Sequence, residues 1–398
     1  MTPPARAQAA IELLDAIIAA AREGGAAADT LIARYFAQRR YAGAKDRRAV
    51  RELVYAAIRA NGAPPPSGRA AILGLIRGGG VEGVEWLDET VFDGSAHGPA
   101  PVAPGEPAHL PDPLAGWASA QLIAALGGDT AEVAAMIDRA PLDIRINRAV
   151  AGALAIAGAE PIAGLPDALR LPAGTDVEHM PAYRAGAFEV QDVGSQIVTL
   201  AARAAPGQRI IDLCAGAGGK SLALAAAMAG EGTILASDTD RARLSRLAPR
   251  AERAGATIIE TRLLNPGQEA AMLADWAGQA DSVLIDAPCS GTGTWRRNPE
   301  ARWRLTSARV ARLVATQAHL LAVAAALVRP GGALVYVVCS LLDAEGAEQV
   351  AAFLAAHPRW TAEPLALPAG RPHGPGYRLT PLHDSTDGFF VARMCAPC

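Results

Sequence analysis

The sequence predicts an α/β fold built on a Rossmann-like, doubly wound, mostly parallel sheet, preceded by a helical module and a small α+β module. Three observations carry this. From Val193 onward, apolar runs at 209–213, 233–237, 257–261, 282–285 and 332–338 alternate with helical segments, and repeated βα units build parallel sheets. The chemistry-bearing motifs all fall at the carboxyl ends of those runs, where open α/β sheets hold ligands. At 398 residues, 51% hydrophobic and 19% charged, the chain has material for more than one core.

The N-terminal stretch to Asn61 has helical apolar spacing at Ile11, Leu14 and Ile18, then Leu31 and Tyr35, and again at Val50, Leu53, Val54 and Ile58. This gives a helical module over 1–65. A Pro/Gly-rich segment over 66–112, with Pro64-Pro65-Pro66 at its edge and Gly78-Gly79-Gly80 within, reads as a connector. The α+β module over 113–190 comprises a helix at 117–137, strands at 144–147 and 187–190, and a helix around Leu154. The sheet domain takes 191–398.

Net charge is −3, yet basic residues cluster. Arg34, Arg39, Arg40, Lys45, Arg47, Arg48, Arg51 and Arg59 face only Asp46 and Glu52 between 31 and 60, and six arginines share 296–312 with Glu300. Such faces can bind phosphate, or simply be solvated helix surface. Only Lys45 and Lys220 among 37 basic residues are lysines, which singles out Lys220. No signal-peptide pattern opens the chain, the apolar stretch 313–328 with Gln317 and His319 reads as a buried helix, and five cysteines fit reduced thiols. The expectation is a cytoplasmic monomer with no membrane partner and no metal. Cys395 and Cys398 lack a second pair and read as a frayed terminus.

The first strand-like run ends in Asp212-Leu213-Cys214-Ala215-Gly216-Ala217-Gly218-Gly219-Lys220-Ser221. Glycines at a strand-to-helix turn let backbone approach a ligand. A triphosphate loop would need glycine where Cys214 stands, and a dinucleotide fingerprint would need glycine at Ser221. The acidic opening residue, with Asp238 ending the second run, fits a nucleoside with a free ribose diol. S-adenosyl-L-methionine is such a ligand.

Two further runs end in Asp286-Ala287-Pro288-Cys289-Ser290-Gly291-Thr292-Gly293 and Val338-Cys339-Ser340. Two cysteines beside an aspartate suit thiol chemistry on a pyrimidine: thiolate addition to carbon 6 of cytosine makes carbon 5 enamine-like, and Asp286 can assist at nitrogen 3. Both cysteines could instead be small buried hydrophobes. Spacing leaves open which cysteine attacks.

Together these stretches resemble the Sun/Fmu-type (RsmB-like) S-adenosylmethionine-dependent RNA cytosine-5 methyltransferases. The resemblance runs from about Pro141 to Ala392 and includes Gln191-Asp192, Ser195-Gln196 and Arg297 to Pro299. It implies a class I methyltransferase domain, with Cys339 as nucleophile and Cys289 assisting release. Lys220 and Asp286 would lie at the target base, and Asp238 at the cofactor ribose, with 212 and 214–220 and Asp286 lining the cofactor site. More weakly, Asp46-Arg47-Arg48 and 51–55 look like the end of a NusB-like RNA-binding domain, and the α+β module is RRM-like. Two positions depart from the family: Val338 replaces the usual threonine, and Asn265 is the nearest substitute for an aspartate after the third run. The implied substrate is RNA, foremost 16S rRNA, with a transfer RNA enzyme or a non-catalytic ribosome-assembly factor as rivals.

Overall fold

A computed structural model describes residues 1–152 and 154–398. Two compact units emerge: residues 1–139 with 294–307, and residues 140–293 with 308–398.

The first unit is helical. Its long opening helix Pro3–Glu23 starts on Thr2, whose hydroxyl accepts from Ala5 N at 3.3 Å, and ends at Gly24 with φ 74°, a left-handed cap that suits glycine. Helices Ala28–Ala37, Ala44–Ala60 and Gly68–Arg77 follow. Leu13, Leu14, Ile17, Leu53, Ile58, Ile72 and Leu73 are buried together, as the periodicity requires. Gly68 has no alternative at its contact, since a Cβ there would meet Ile11 O at 2.4 Å. The segment expected as a connector thus contains a core helix. The helix expected over 117–137 is two, Trp117–Ala125 and Thr130–Ala135, broken at Gly127 and Gly128, which both take positive φ.

This unit also contains the distant segment 294–307. Trp303 is part of the helical core and donates from Nε1 to Asn61 O at 2.8 Å. The Arg302 guanidinium is buried and donates to the carbonyls of Ile58 and Arg59, both at 2.8 Å, and of Asn61 and Pro113, both at 3.0 Å. Burial lowers its pKa to about 10, so it stays charged at neutral pH. Glu300 Oε1 accepts from Ala28 N at 3.1 Å. Arg304 donates to Gly25 O and Ala26 O, both at 2.6 Å. In the second arginine cluster Arg302 and Arg304 are therefore internal scaffolding, while Arg309 and Arg312 are exposed. In the first cluster Arg34, Arg40, Lys45, Arg47, Arg48 and Arg51 are exposed.

The second unit holds two sheets. Strands β1 (Leu142–Ile146), β2 (Glu160–Ile162), β3 (Leu165–Leu171) and β4 (Phe188–Val190) form an antiparallel sheet in the order β2-β3-β1-β4. The helix expected around Leu154 is instead the single turn Arg148–Ala151, and Leu154 lies outside it. Asn147 and Gly152 flank that turn.

The large sheet comprises β5 (Arg209–Asp212), β6 (Thr233–Asp238), β7 (Ile259–Leu263), β8 (Ala280–Asp286), β9 (Val328–Val338), β10 (Thr361–Glu363), β11 (Arg371–His373), β12 (Gly376–Leu379) and β13 (Phe389–Cys395). Its order is β11-β12-β13-β9-β8-β5-β6-β7, with β10 on β13. Strands β5 to β9 pair in parallel, and β10 to β13 pair antiparallel. Connections lead one way from β5 through β6 to β7 and the other way from β8 to β9, so a crevice opens at the carboxyl ends of β5 and β8. Cys395 is the last residue of β13, opposite Ala333 and Thr361; the frayed terminus expected there is an ordered strand. The helix Ser307–Leu327 buries Leu320, Leu321, Val323, Ala324 and Leu327 against the sheet and exposes its other side, so it is half-buried where full burial was expected.

Candidate active site

Strand β5 delivers Asp212 and the glycine loop. Asp212 is fully buried; its Oδ2 accepts from Ser221 Oγ at 2.6 Å, while its Oδ1 has no protein partner. Burial chiefly raises its pKa to about 7, opposed by the Ser221 hydroxyl and reinforced by the charge of Asp286. Gly216 and Gly218 have φ of 54° and 83°, values that exclude most side chains without strain. A Cβ on Gly216 would also meet the Arg243 guanidinium at 2.5 Å, whereas one on Gly219 would meet open space. Cys214 and Ala217 lie half-buried along this turn and Ala215 is buried. Burial pushes the Cys214 thiol well up, so it remains a neutral small side chain.

Asp238, at the end of β6, is buried and braces the loop. Its Oδ2 accepts from Gly216 N and its Oδ1 from Asp240 N, both at 2.7 Å. Leu264 N donates to Asp238 O at 2.9 Å, which brings Asn265 to the same edge. The exposed Asn265 side chain, however, donates to Gln268 Oε1 at 3.1 Å. On the other side, Gln191 Nε2 donates to Gly219 O at 3.3 Å and Gln191 Oε1 accepts from Arg145 Nε at 2.8 Å. The Gln191-Asp192 motif thus ties the small sheet to the glycine loop. A cradle of open glycine backbone, with a buried unpartnered carboxylate oxygen and a second carboxylate on its rim, fits a nucleoside cofactor carrying a cationic group.

Lys220 rises from the first turn of the helix Gly219–Ala227. Its Nζ donates to Asp286 Oδ2 at 2.6 Å and lies 5.6 Å from the centroid of the Phe389 ring. Burial works to lower the lysine pKa, but the Asp286 charge and hydrogen bond outweigh it and the net shift is upward. The ammonium also feels the charge of Cys339.

The two cysteine segments meet here. Cys289 and Cys339 are free thiols with sulfurs 3.4 Å apart. Gly293 N donates to Cys339 O at 3.0 Å, and Gly388 N to Gly293 O at 2.8 Å. A Cβ on Gly293 would lie 2.0 Å from Gly388 O, so the glycine there permits strand-end and loop to touch. The contact with Cys339 chiefly, then burial, pushes the Cys289 thiol well up. Lys220, Asp286, Cys289 and Cys339 are therefore gathered, while Asn265 points its amide elsewhere. Sequence reasoning missed Ser290, Ser340, Thr292 and Glu345, whose hydrogen bonds join the two cysteine segments; the serines directly after each cysteine were the available signal. No group of acids, histidines and cysteines among the described residues could hold a metal ion.

Similarity to known proteins agrees with this geometry. The chain is 38% identical over 244 residues to a probable ribosomal RNA small subunit methyltransferase B of Synechocystis, covering 58% of this chain and 53% of that one. It is 35% identical over 268 residues to ribosomal RNA small subunit methyltransferase B of Salmonella newport, covering 64% and 60%. The chain thus spans somewhat over half the length of these curated relatives. A crystal structure of PH0851 superposes with a TM-score of 0.73 at 23% identity over 99% of both chains, and a methyltransferase homologue from Pyrococcus horikoshii with 0.58 at 24% identity, over 70% of this chain and 94% of that one. Both show the fold, that of class I methyltransferases. The family described as 16S rRNA methyltransferase RsmB/F matches residues 198–395 of this chain, just under half of it.

Proposed function

We propose that the protein is an S-adenosylmethionine-dependent RNA methyltransferase that modifies carbon 5 of a cytosine, foremost in 16S rRNA. The observation that carries the proposal is the pair of thiols 3.4 Å apart beside the Lys220–Asp286 pair. The curated relatives are named as small-subunit rRNA methyltransferases, and a Pyrococcus horikoshii NSun6 structure with SFG superposes with a TM-score of 0.50 at 26% identity, over 58% of each chain.

When bound, S-adenosylmethionine supplies an electrophilic methyl group. Asp212, the loop 214–219 and Asp238 would hold it, with Asn265 at the rim. Cys339 attacks as thiolate: its sulfur bonds to carbon 6, and the displaced π pair makes carbon 5 nucleophilic. Lys220 favours that thiolate electrostatically. Asp286, anchored by Lys220 through one oxygen, would in its acid form give a proton to nitrogen 3 as Cys339 adds, neutralising the charge placed on the ring, and take that proton back on elimination. Once Cys339 is bonded to carbon 6, the thiol contact that chiefly raises Cys289 is gone; after carbon 5 is methylated, Cys289 releases its own proton to solvent and, as thiolate, takes the carbon 5 proton. The electron pair of that bond re-forms the double bond and expels the Cys339 thiolate. The helical unit, with its exposed basic face, serves as an RNA-binding module of NusB-like kind.

The experiment is methyl transfer from labelled cofactor to total RNA, with size fractionation and nucleoside digestion. Label in 5-methylcytosine of 16S rRNA is expected. Label in small RNA would redirect the substrate to tRNA; no label on any RNA would leave a non-catalytic binding factor.

A further inference from the structure

We propose that Glu345 is a positioning residue of the two-thiol site, its carboxylate stitching the Cys289 loop to the Cys339 strand end and so fixing the separation of the sulfurs. Its catalytic consequence rests on the function proposed above; the geometric claim does not.

Glu345 is fully buried, five residues beyond Ser340. Its carboxylate receives four donors. Oε1 accepts from Ser290 N at 2.8 Å and from Gln317 Nε2 at 3.1 Å; Oε2 accepts from Ser340 Oγ at 2.6 Å and from Ser290 Oγ. Ser290 directly follows Cys289, and Ser340 directly follows Cys339. The two hydroxyls lie 3.0 Å apart, and Thr292 Oγ1 reaches Ser340 Oγ at 3.2 Å while accepting from Leu341 N at 2.9 Å. The backbone is pinned as well: Tyr336 OH donates to Glu345 O at 2.6 Å.

All four donors are neutral. A carboxylate buried without a cation costs several kcal/mol unless its lone pairs are filled, and here each oxygen takes two donors. An apolar residue could fill this volume, but it could not hold a backbone amide of one segment and a hydroxyl of the other at once. The arrangement therefore trades stability for registry between two segments 50 residues apart in sequence. The charge also contributes, after the Cys339 contact and burial, to raising the Cys289 thiol.

The test uses the full chain and the oxidant diamide, which takes two hydrogens from neighbouring thiols and leaves a disulfide. The sulfurs must close only to about 2.05 Å, so the rate of Cys289–Cys339 bond formation, read by peptide mapping, reports their registry without any RNA. Glu345→Ala should slow this bond about tenfold or more, and lower kcat by up to about 100-fold with unchanged RNA KM and cofactor Kd. Glu345→Gln should recover much of both, because its amide oxygen can face Ser290 N and Gln317 while the serine hydroxyls rotate to accept from its NH2. Wild-type bond formation in a folded Glu345→Ala overturns the proposal. If that variant does not unfold cooperatively, Ser340→Ala is measured instead: a slowed bond supports the proposal and an unchanged one overturns it. A protein that methylates no cytosine, yet shows the expected disulfide rates, would sink the proposed function and leave the role of Glu345 standing.

Discussion

The Cys289 and Cys339 sulfurs lie 3.4 Å apart at the ends of different strands, close enough for both to serve one base. Division of labour follows. Cys339→Ala should abolish turnover and form no covalent complex with RNA. Cys289→Ala should add to the base and transfer methyl, then stall, because elimination also needs removal of the carbon 5 proton. The stalled thioether should survive denaturing electrophoresis as a slower band. An adduct in the Cys339 variant and none in the Cys289 variant would reverse the roles.

Lys220 and Asp286 form a largely buried pair at 2.6 Å. The lysine pKa is raised in the folded state by its partner, so its stabilising contribution is complete below the ordinary lysine pKa and is lost as pH rises through the folded value. Asp286→Asn leaves burial unopposed, so the folded lysine should lose its proton more readily than the unfolded one, and this group's alkaline loss of stability should vanish or turn into a gain. Urea midpoints from about pH 8 to 11 read this. Identical alkaline limbs for both proteins would show that the pair is uncoupled in solution.

Asp212 is raised to about 7. Between the ordinary aspartate value and about 7 the folded state holds a proton that the unfolded chain has released, so stability falls as pH rises through that window. Asp212→Asn should flatten the fall, gaining on the order of 1–3 kcal/mol at pH 8 relative to its value at pH 4. Denaturant titrations without cofactor are the measurement, and a wild-type slope in the variant is the adverse outcome.

Asp238 holds Gly216 N and Asp240 N. Asp238→Ala should weaken S-adenosylmethionine binding by about 1.5–3 kcal/mol for each charge-assisted hydrogen bond removed. Calorimetry is the measurement; unchanged affinity would shift attention to Asp240, which caps the turn Arg241–Leu244.

RNA capture is tested by charge removal on the exposed face, since cutting the N-terminus would strip Arg302 and Trp303 of their acceptors. Converting Arg34, Arg40, Lys45 and Arg48 to Gln should lower the slope of log K against log salt by about one for every phosphate left without its cation. An unchanged slope would make the cluster a solvated surface.

Four of the five parallel strands and their terminal motifs were legible because β5, β6 and β8 end in an acid and β9 runs into a cysteine; β7, Thr257-Ile258-Ile259-Glu260-Thr261 in the sequence, carries no such mark. Boundaries moved by one to four residues: β9 starts at Val328 rather than Gly332, since backbone pairing continues where apolar character stops. Arg302 reads as surface in the sequence because composition cannot show that four carbonyls from distant turns converge on it. Glu345 was invisible for a related reason. Nothing in 341–345 marks it until Ser290 and Ser340 are brought against it.

The insertion of 294–307 into the helical core has a kinetic meaning. Arg302 bonds to carbonyls 241 to 244 residues earlier in the chain. During synthesis the N-terminal helices emerge first, yet Trp303 and Arg302 arrive only after most of the sheet domain has been made. Closing contacts of such separation is slow, and domains made first ordinarily fold first. Here the first unit's last core position stays open until three quarters of the chain exists, so the helical core can close only after β5 to β8 have been made, yet before β9 and Cys339 emerge.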